Sequence, residues 1–248
     1  MDVSLYQAAA AMNATERWQE LITNNLATAS VPGGRKSEIT FSAVQAGLAD
    51  ATPGSVNPGY VIPAATAAIN FQQGELRPSG NSMDTALEGS GFFTVQLSNG
   101  QQAYTRDGQF RLNSQQQLVT NTGNPVLGDA GPIQFDPNSS DPVTISATGE
   151  VSQGSEQKGK LKLTDFNQAG LLTSLGGGLY RADNPALKPS VAATTHVRQG
   201  FVEGSNTSST TQMANLITAM RMFDANAKVL QMQSDRMSKE ISDLGNPS

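Results

Sequence analysis

Residues 209–244 read STTQMANLITAMRMFDANAKVLQMQSDRMSKEISDL, and the architecture turns on how this stretch folds. Two tracks with seven-residue spacing run through it. One holds Met213, Met220, Ala227, Ser234 and Ile241; the other holds Leu216, Phe223, Leu230, Met237 and Leu244. All but Ser234 are apolar, and a heptad pattern sustained this long predicts one long helix with a coiled-coil-type seam. The ends agree. Ser209-Thr210-Thr211-Gln212 has the form of a capping box, in which a hydroxyl and an amide side chain satisfy the first free backbone N–H groups. Gly245 and Pro247 supply a left-handed cap and a block to continuation.

Length then becomes an argument. A helix over 209–244 extends roughly 54 Å at ~1.5 Å per residue, whereas a β domain of about 130 residues is only roughly 35 Å across. Such a helix cannot be covered along its whole length by its own domain. A continuous stripe of Met, Leu, Phe and Ile left in water would be an anomalous patch; an N-terminal helix can cover part of it, other copies of the chain are the expected cover for the rest, and a Met-rich core inside a two-helix hairpin of one chain is the alternative. Five of the eight methionines lie between Met213 and Met237, and flexible thioether side chains suit packing against non-identical neighbours.

The N-terminus carries a weaker version of the same pattern. Leu5, Met12 and Leu26 share one track and Ala8, Ile22 and Ala29 the other, with Gln19 and Thr15 interrupting them; Pro32-Gly33-Gly34 ends the helix. The centre has the period of strands. Phe92–Leu97 alternates, Asn99-Gly100 is a hairpin signal, Ala103–Arg106 returns, and Asp107-Gly108 turns the chain into Gln109–Leu112. Further short strands are expected at Gln117–Thr120, Pro125–Leu127, Ile133–Phe135, Val143–Ser146 and Lys160–Leu163. The reading is therefore an α+β chain. Assembly helices occupy 1–36 and 206–248, and an extended arm, with a short strand near Val61–Phe71, occupies 37–82. A central antiparallel domain of barrel or sandwich type occupies 83–205.

Composition removes whole classes of function. There is no cysteine and one histidine, His196, so thiolate metal sites, disulfides, cysteine nucleophiles and His-pair metal motifs are absent from the sequence. The net charge is −5. The ends are balanced: Asp2, Glu16 and Glu20 oppose Arg17, Arg35 and Lys36, and Arg221, Lys228, Arg236 and Lys239 oppose Asp224, Asp235, Glu240 and Asp243. The acidity lies between them, which argues against nucleic acid or an anionic membrane as partner. The first basic residue is Arg17, so no cleaved secretory signal is expected, and no apolar run reaches the ~18 residues of a membrane span. The candidate chemistry is weak. Asp84 and Glu88 are four apart without a cleft signature, Ser90 lacks a full nucleophile elbow, the glycine clusters lack phosphate-loop spacing, and Trp18 reads as a packing residue. The expectation is no enzyme, no cofactor and no metal.

Three motifs in order resemble one family. Asn24-Asn25-Leu26-Ala27, then Pro32-Gly33 and Arg35-Lys36, is similar to the N-terminal signature of the bacterial flagellar axial family, the rod and hook proteins. Asp84 through Val95, containing Glu88, Gly89, Gly91 and Phe92, with Tyr104, Arg106 and Gly108, resembles its central β signature. Glu203, Ser205 and Asn206, then Arg221 and Phe223, resemble its C-terminal signature. The short chain resembles a rod subunit more than a hook protein. Its opening Met1-Asp2, with Val31 and Gly34 where the family carries Thr and an aromatic, is most like the proximal rod subunit. The resemblance implies terminal helices in the core of a tubular drive shaft and a β domain outside. Its implied partners are further copies, adjacent rod proteins and the flagellar type III export apparatus, with no membrane insertion. A distal rod subunit or short hook-type protein is the near alternative. A soluble β-domain binding module with a helical stalk is the alternative of a different class.

Overall fold

The computed structural model describes residues 3–46, 60–139 and 141–245. The chain is α+β and divides into two compact units, one drawn from residues 1–24, 37–68 and 209–248, the other from 25–36 and 69–208. Helix α1 covers Val3–Thr28 and α2 covers Ser209–Gly245. Within the expected arm, strands Ser37–Ala46 and Tyr60–Ile69 pair in a two-stranded sheet; residues 47–59 of it lie outside the described residues.

Each helix buries a stripe. On α1 it runs through Ala8, Ala14, Thr15 and Ile22. Thr15 fits because its hydroxyl donates to the Ala11 carbonyl at 2.7 Å and also takes an Asn226 amide at 3.4 Å from α2. On α2 the stripe runs through Gln212 and Ala219, which are buried, and Leu216, Phe223, Ala227 and Leu230, which are half-buried. A groove bordered by Met12, Gln19, Phe223 and Leu230 separates the helices. The two heptad tracks do not share this stripe equally, because a straight helix of 3.6 residues per turn drifts ~20° per heptad. Met213, Met220 and Met237 stand 53%, 55% and 37% exposed. Leu5, Ile241 and Leu244 have side chains outside the described set, and Leu26 is half-buried.

The second unit is built on a six-stranded antiparallel sheet. Its spatial order is Thr173–Gly176, Leu179–Arg181, Gln102–Thr105, Phe92–Gln96, Leu163–Phe166, Pro189–Val191. Side chains alternate across a strand, so the neighbours Phe92 and Phe93 serve different cores. Phe93 joins Val95, Phe110, Leu118, Val126 and Val151; Phe92 joins Tyr104, Phe166, Leu172 and Tyr180. Around this sheet lie hairpins at 110–120, 127–132 and 143–160, and the pairs 85–88 with 196–199 and 76–78 with 201–203. The expected barrel does not form. The main sheet keeps two end strands, 173–176 and 189–191, and the remaining strands, two to five residues each, gather into separate small sheets. Strands this short, cut by Gly, Pro and Asn turns, cannot keep the continuous stagger that barrel closure demands.

The Asn99-Gly100 hairpin forms with a three-residue loop, Ser98–Gly100. The Leu97 N–H reaches the Gln101 carbonyl at 2.8 Å and Gly100 sits at φ 82°, the form in which a type I turn is followed by a left-handed residue. Ile133 and Phe135 are buried without forming a named strand; Leu118 N–H donates to Ile133 O at 2.9 Å and Phe135 N–H to Gln116 O at 2.8 Å. The expected strand 160–163 is divided between Glu156–Lys160 and Leu163–Phe166. Phe92 is the centre of its aromatic cluster, with ring centroids of Phe71, Phe166 and Tyr180 at 5.5, 5.9 and 6.3 Å. Replacing Phe92→Ala should cost about 3–5 kcal/mol, read as a shift of the denaturant midpoint with an unchanged slope.

Candidate functional site

Three stretches of chain converge on Glu203 inside the second unit. Its Oε1 accepts from Arg35 Nη2 at 2.6 Å and from the Gly74 N–H at 2.8 Å, while Arg106 Nη1 lies 3.4 Å from Oε2. The side chains of Arg35 and Glu203 are 0% exposed and that of Arg106 2%. Arg106 reaches further: Nη2 donates to the Gly89 carbonyl at 2.7 Å, and its guanidinium lies over the Phe92 ring, 4.9 Å from the centroid. Two buried cations therefore share one buried carboxylate, and the Nε–H of each arginine has no partner among the described residues.

Local structure puts these groups in place. Glu203 ends the strand Phe201–Glu203, whose register sets it opposite Leu76. Arg106 follows the strand Gln102–Thr105 directly, and Arg35 follows the turn that ends α1. That turn depends on Gly33: its φ is 64°, its N–H donates to the Glu203 carbonyl at 2.7 Å, and a Cβ there would fall 2.5 Å from the Arg106 carbonyl carbon. Asn206 completes the junction. Its Oδ1 accepts from Lys36 N–H at 2.7 Å, and its amide donates to the carbonyls of Asn70 at 2.8 Å and Gln72 at 2.9 Å. Ser205 Oγ donates to the Gly34 carbonyl at 3.2 Å. One asparagine thus holds the segment after α1, the segment 70–72 and the segment before α2. Asn206→Asp keeps the shape, removes both donors and sets a carboxylate against two carbonyls. It should cost about 2 kcal/mol, measured by thermal and denaturant unfolding.

The electrostatics are those of a fastener. Burial lowers the Arg106 pKa to about 10, with Glu203 raising it and Arg35 lowering it in turn. The group stays cationic near neutral pH, and its partner carboxylate is already engaged by two guanidiniums and an amide. Burial likewise raises the phenols of Tyr104 and Tyr180, and the carboxyl of Asp107, above their usual values. Asp84 and Glu88 diverge. Asp84 is buried, with Oδ1 accepting from Asn81 Nδ2 at 3.1 Å, whereas Glu88 pairs at the surface with Arg198 at 2.8 Å. His196 lies exposed in the strand opposite Glu88. No group of three or more metal-ligating side chains occurs among the described residues.

The residues singled out by motif fall into three places. Pro32, Gly33, Gly89, Phe92, Arg106, Glu203, Ser205 and Asn206 are in or beside the junction. Tyr104 is in the sheet, and Gly91 and Gly108 lie just before the strands Phe92–Gln96 and Phe110–Leu112: Gly91 N–H donates to Thr195 Oγ1 at 2.9 Å, and the Tyr104 ring meets Phe166 edge-on at 4.7 Å. Asn24, Asn25, Leu26 and Ala27 are on the last turns of α1, with only Asn25 buried, while exposed Arg221 and half-buried Phe223 lie on α2. Arg35 belongs to the N-terminal signature, which gives it no role beyond the turn; Gly74 carries no signal in the sequence.

Comparison with known proteins accounts for this grouping. Residues 86–153 match the family described as flagellar hook protein FlgE/F/G D1 domain, and residues 198–244 match the flagellar basal body rod FlgEFG protein C-terminal family. The flagellar basal-body rod protein FlgF of Caulobacter vibrioides is 33% identical over 247 residues, 99% of each chain. The chain belongs to the flagellar basal-body rod protein family. A second relative, the rod protein FlgG of Buchnera aphidicola (subsp. Schizaphis graminum), is 34% identical over 263 residues, 97% of this chain and 99% of its own. A third, FlgF of Rhizobium meliloti, is 29% identical over 255 residues, 99% of each. The chain is thus a structural subunit of the flagellar basal-body rod. The first family match begins at Ala86 and contains Arg106; the second begins at Arg198 and contains Glu203 and Asn206. The ion junction therefore joins the two matched regions to each other and to the turn after α1.

Proposed function

We propose that this rod subunit self-assembles through its terminal helices into a tubular drive shaft that carries torque from motor to hook. The supporting observation is the outer surface of α2. Beyond the stripe it buries, α2 presents one apolar flank of Met213, Ile217 and Met220, 53–55% exposed, and another of Met222, Val229 and Met232, 42–63% exposed. At ~100° per residue the exposed charged residues Arg221, Lys228 and Lys239 lie between these two flanks. Apolar area on two sides of one helix can be covered by neighbours on both sides, at roughly 25 cal/mol per Å² buried. Contacts between unlike surfaces that do not close build an open helical array instead of a closed ring.

On this reading 1–36 and 206–248 are the assembly segments, 83–205 is the outer body and 37–82 joins them. The seam comprises Leu5, Met12, Ile22, Leu26, Met213, Leu216, Met220, Phe223, Ala227, Leu230, Met237, Ile241 and Leu244. The fastener around Glu203 fixes the chain that leaves α1 to the chain that enters α2. The turn after α1, with Val31 and Gly34 as in the resemblance to the proximal rod subunit, favours the proximal position in the rod. Passage through the flagellar type III apparatus into a periplasmic rod flanked by other rod proteins accords with the two rod-family matches.

The test uses the exposed flanks, where substitution spares the helix's own packing. Met220→Asp with Met232→Asp should leave the helical circular dichroism and unfolding midpoint of the isolated chain unchanged, yet abolish incorporation into basal bodies and swimming. Normal swimming by the double variant would remove the role of this surface.

A further inference from the structure

The second unit carries a groove of about 500 Å³ beside the end strand Pro189–Val191, bordered by Lys160, Lys162, Val191, Ala192 and His196, with Asp129. Val191 is 85% exposed, the most exposed large apolar side chain among the described residues. The strand pairs on one side only, with Leu163–Phe166, so it offers a free sheet edge for an extended segment. The charge around it is distinctive. Of the four lysines between residues 37 and 205, Lys160 and Lys162 line this groove and Lys158 and Lys188 lie within two residues of its lining, whereas the acids of that span are spread along its length. Lys158 pairs with Glu156 at 2.9 Å; Lys160 and Lys162 have no carboxylate partner among the described residues.

A complementary feature lies elsewhere on the same unit. The loop after Phe135 exposes Asp136 and Asp141, whose carboxylates accept only local bonds, from Asn138 N–H at 2.8 Å and Ser139 Oγ at 2.9 Å. Neither pairs with a cation among the described residues. We propose that the lysine groove of one copy receives the Asp136–Asp141 loop of a second copy, a contact between outer bodies that supplements the helical seam. Donor and acceptor are different surfaces, so the contact can repeat from copy to copy. Complementary charge at such a contact sets register and raises the association rate at low salt. The inference rests on the self-assembly reading and adds a second, electrostatic interface to it.

The chain has no native cysteine, which permits a direct test in cells that build their rods from the altered chain. Val191→Cys combined with Asn138→Cys should yield disulfide-linked dimers of this chain on mild oxidation of purified basal bodies, and either single variant should yield none. In parallel, Lys160→Glu with Lys162→Glu should lower incorporation several-fold while leaving the unfolding midpoint of the isolated chain unchanged. Adding Asp136→Lys and Asp141→Lys should restore it. Rods that assemble and turn normally yet give no linked dimer, a linkage from Val191→Cys to a different rod protein, or a charge reversal without rescue would each overturn the groove contact while leaving the helical seam in place. The seam itself stands or falls separately, on the Met220 and Met232 variants.

Discussion

Replacing Glu203→Gln should destabilise the full-length chain by about 3–5 kcal/mol in denaturant unfolding, the usual cost of removing one partner of a buried ion pair. The change is nearly isosteric and can keep the acceptor for the Gly74 N–H, so its effect isolates charge. Two guanidiniums, 0% and 2% exposed, would remain without a counter-ion. A domain's whole stability is roughly 5–15 kcal/mol, so the variant should populate unfolded chain and be poorly incorporated into rods. A companion variant separates pairing from burial. Converting the three together, Arg35→Met, Glu203→Leu and Arg106→Met, removes every charge at once, and should lose much less stability than Glu203→Gln alone. If Glu203→Gln shifts stability by less than about 1 kcal/mol, the junction is not held by its charges.

Gly108→Ala should cost about 3 kcal/mol or more, for a steric reason unconnected with backbone freedom. The Gly108 carbonyl accepts from the Thr85 N–H at 2.9 Å, and a Cβ on Gly108 would stand 1.6 Å from the Thr85 carbonyl oxygen and 2.7 Å from its carbon. These are backbone atoms with no rotamer to yield, so the strands at 85–88 and 110–112 would have to part. Overpacking of this kind commonly costs 1–3 kcal/mol even where side chains can move. Gly100→Ala is the control. Gly100 has a φ of 82° and nothing within 4 Å of a built Cβ, so only left-handed backbone strain applies, about 1–2 kcal/mol. Equal losses from the two substitutions would contradict the close-approach argument. Thermal unfolding of the two variants side by side decides it.

Much of the architecture was legible in the chain because its determinants are local. The long helix follows from a seven-residue period with a capping box at one end and Gly245 and Pro247 at the other. The strand at Phe92 and its hairpin follow from alternation and an Asn-Gly turn. Family membership followed from short motifs in order. The choice between barrel and sandwich had nothing local to decide it: closure depends on how strands register with partners far away in sequence, and here the six-stranded sheet ends in open edges. The methionines show the same limit on a smaller scale. Their period marked them as interfacial, but which of Met213, Leu216, Met220 and Phe223 faces α1 depends on the drift of a straight helix and on where α1 lies.

The junction at Glu203 marks the boundary most clearly. Its residues were visible as fragments of three motifs, but their partnership was not, since Arg35 and Glu203 are 168 positions apart and Arg106 and Glu203 are 97 apart. Period, capping and turn chemistry act over a few residues, so the sequence by itself determined two long helices and a β-rich centre. A carboxylate's choice between two distant arginines depends on which chain segments are brought together and shut off from water. Only the folded chain decides that, because a charge becomes costly to leave unpaired once burial has removed its solvent.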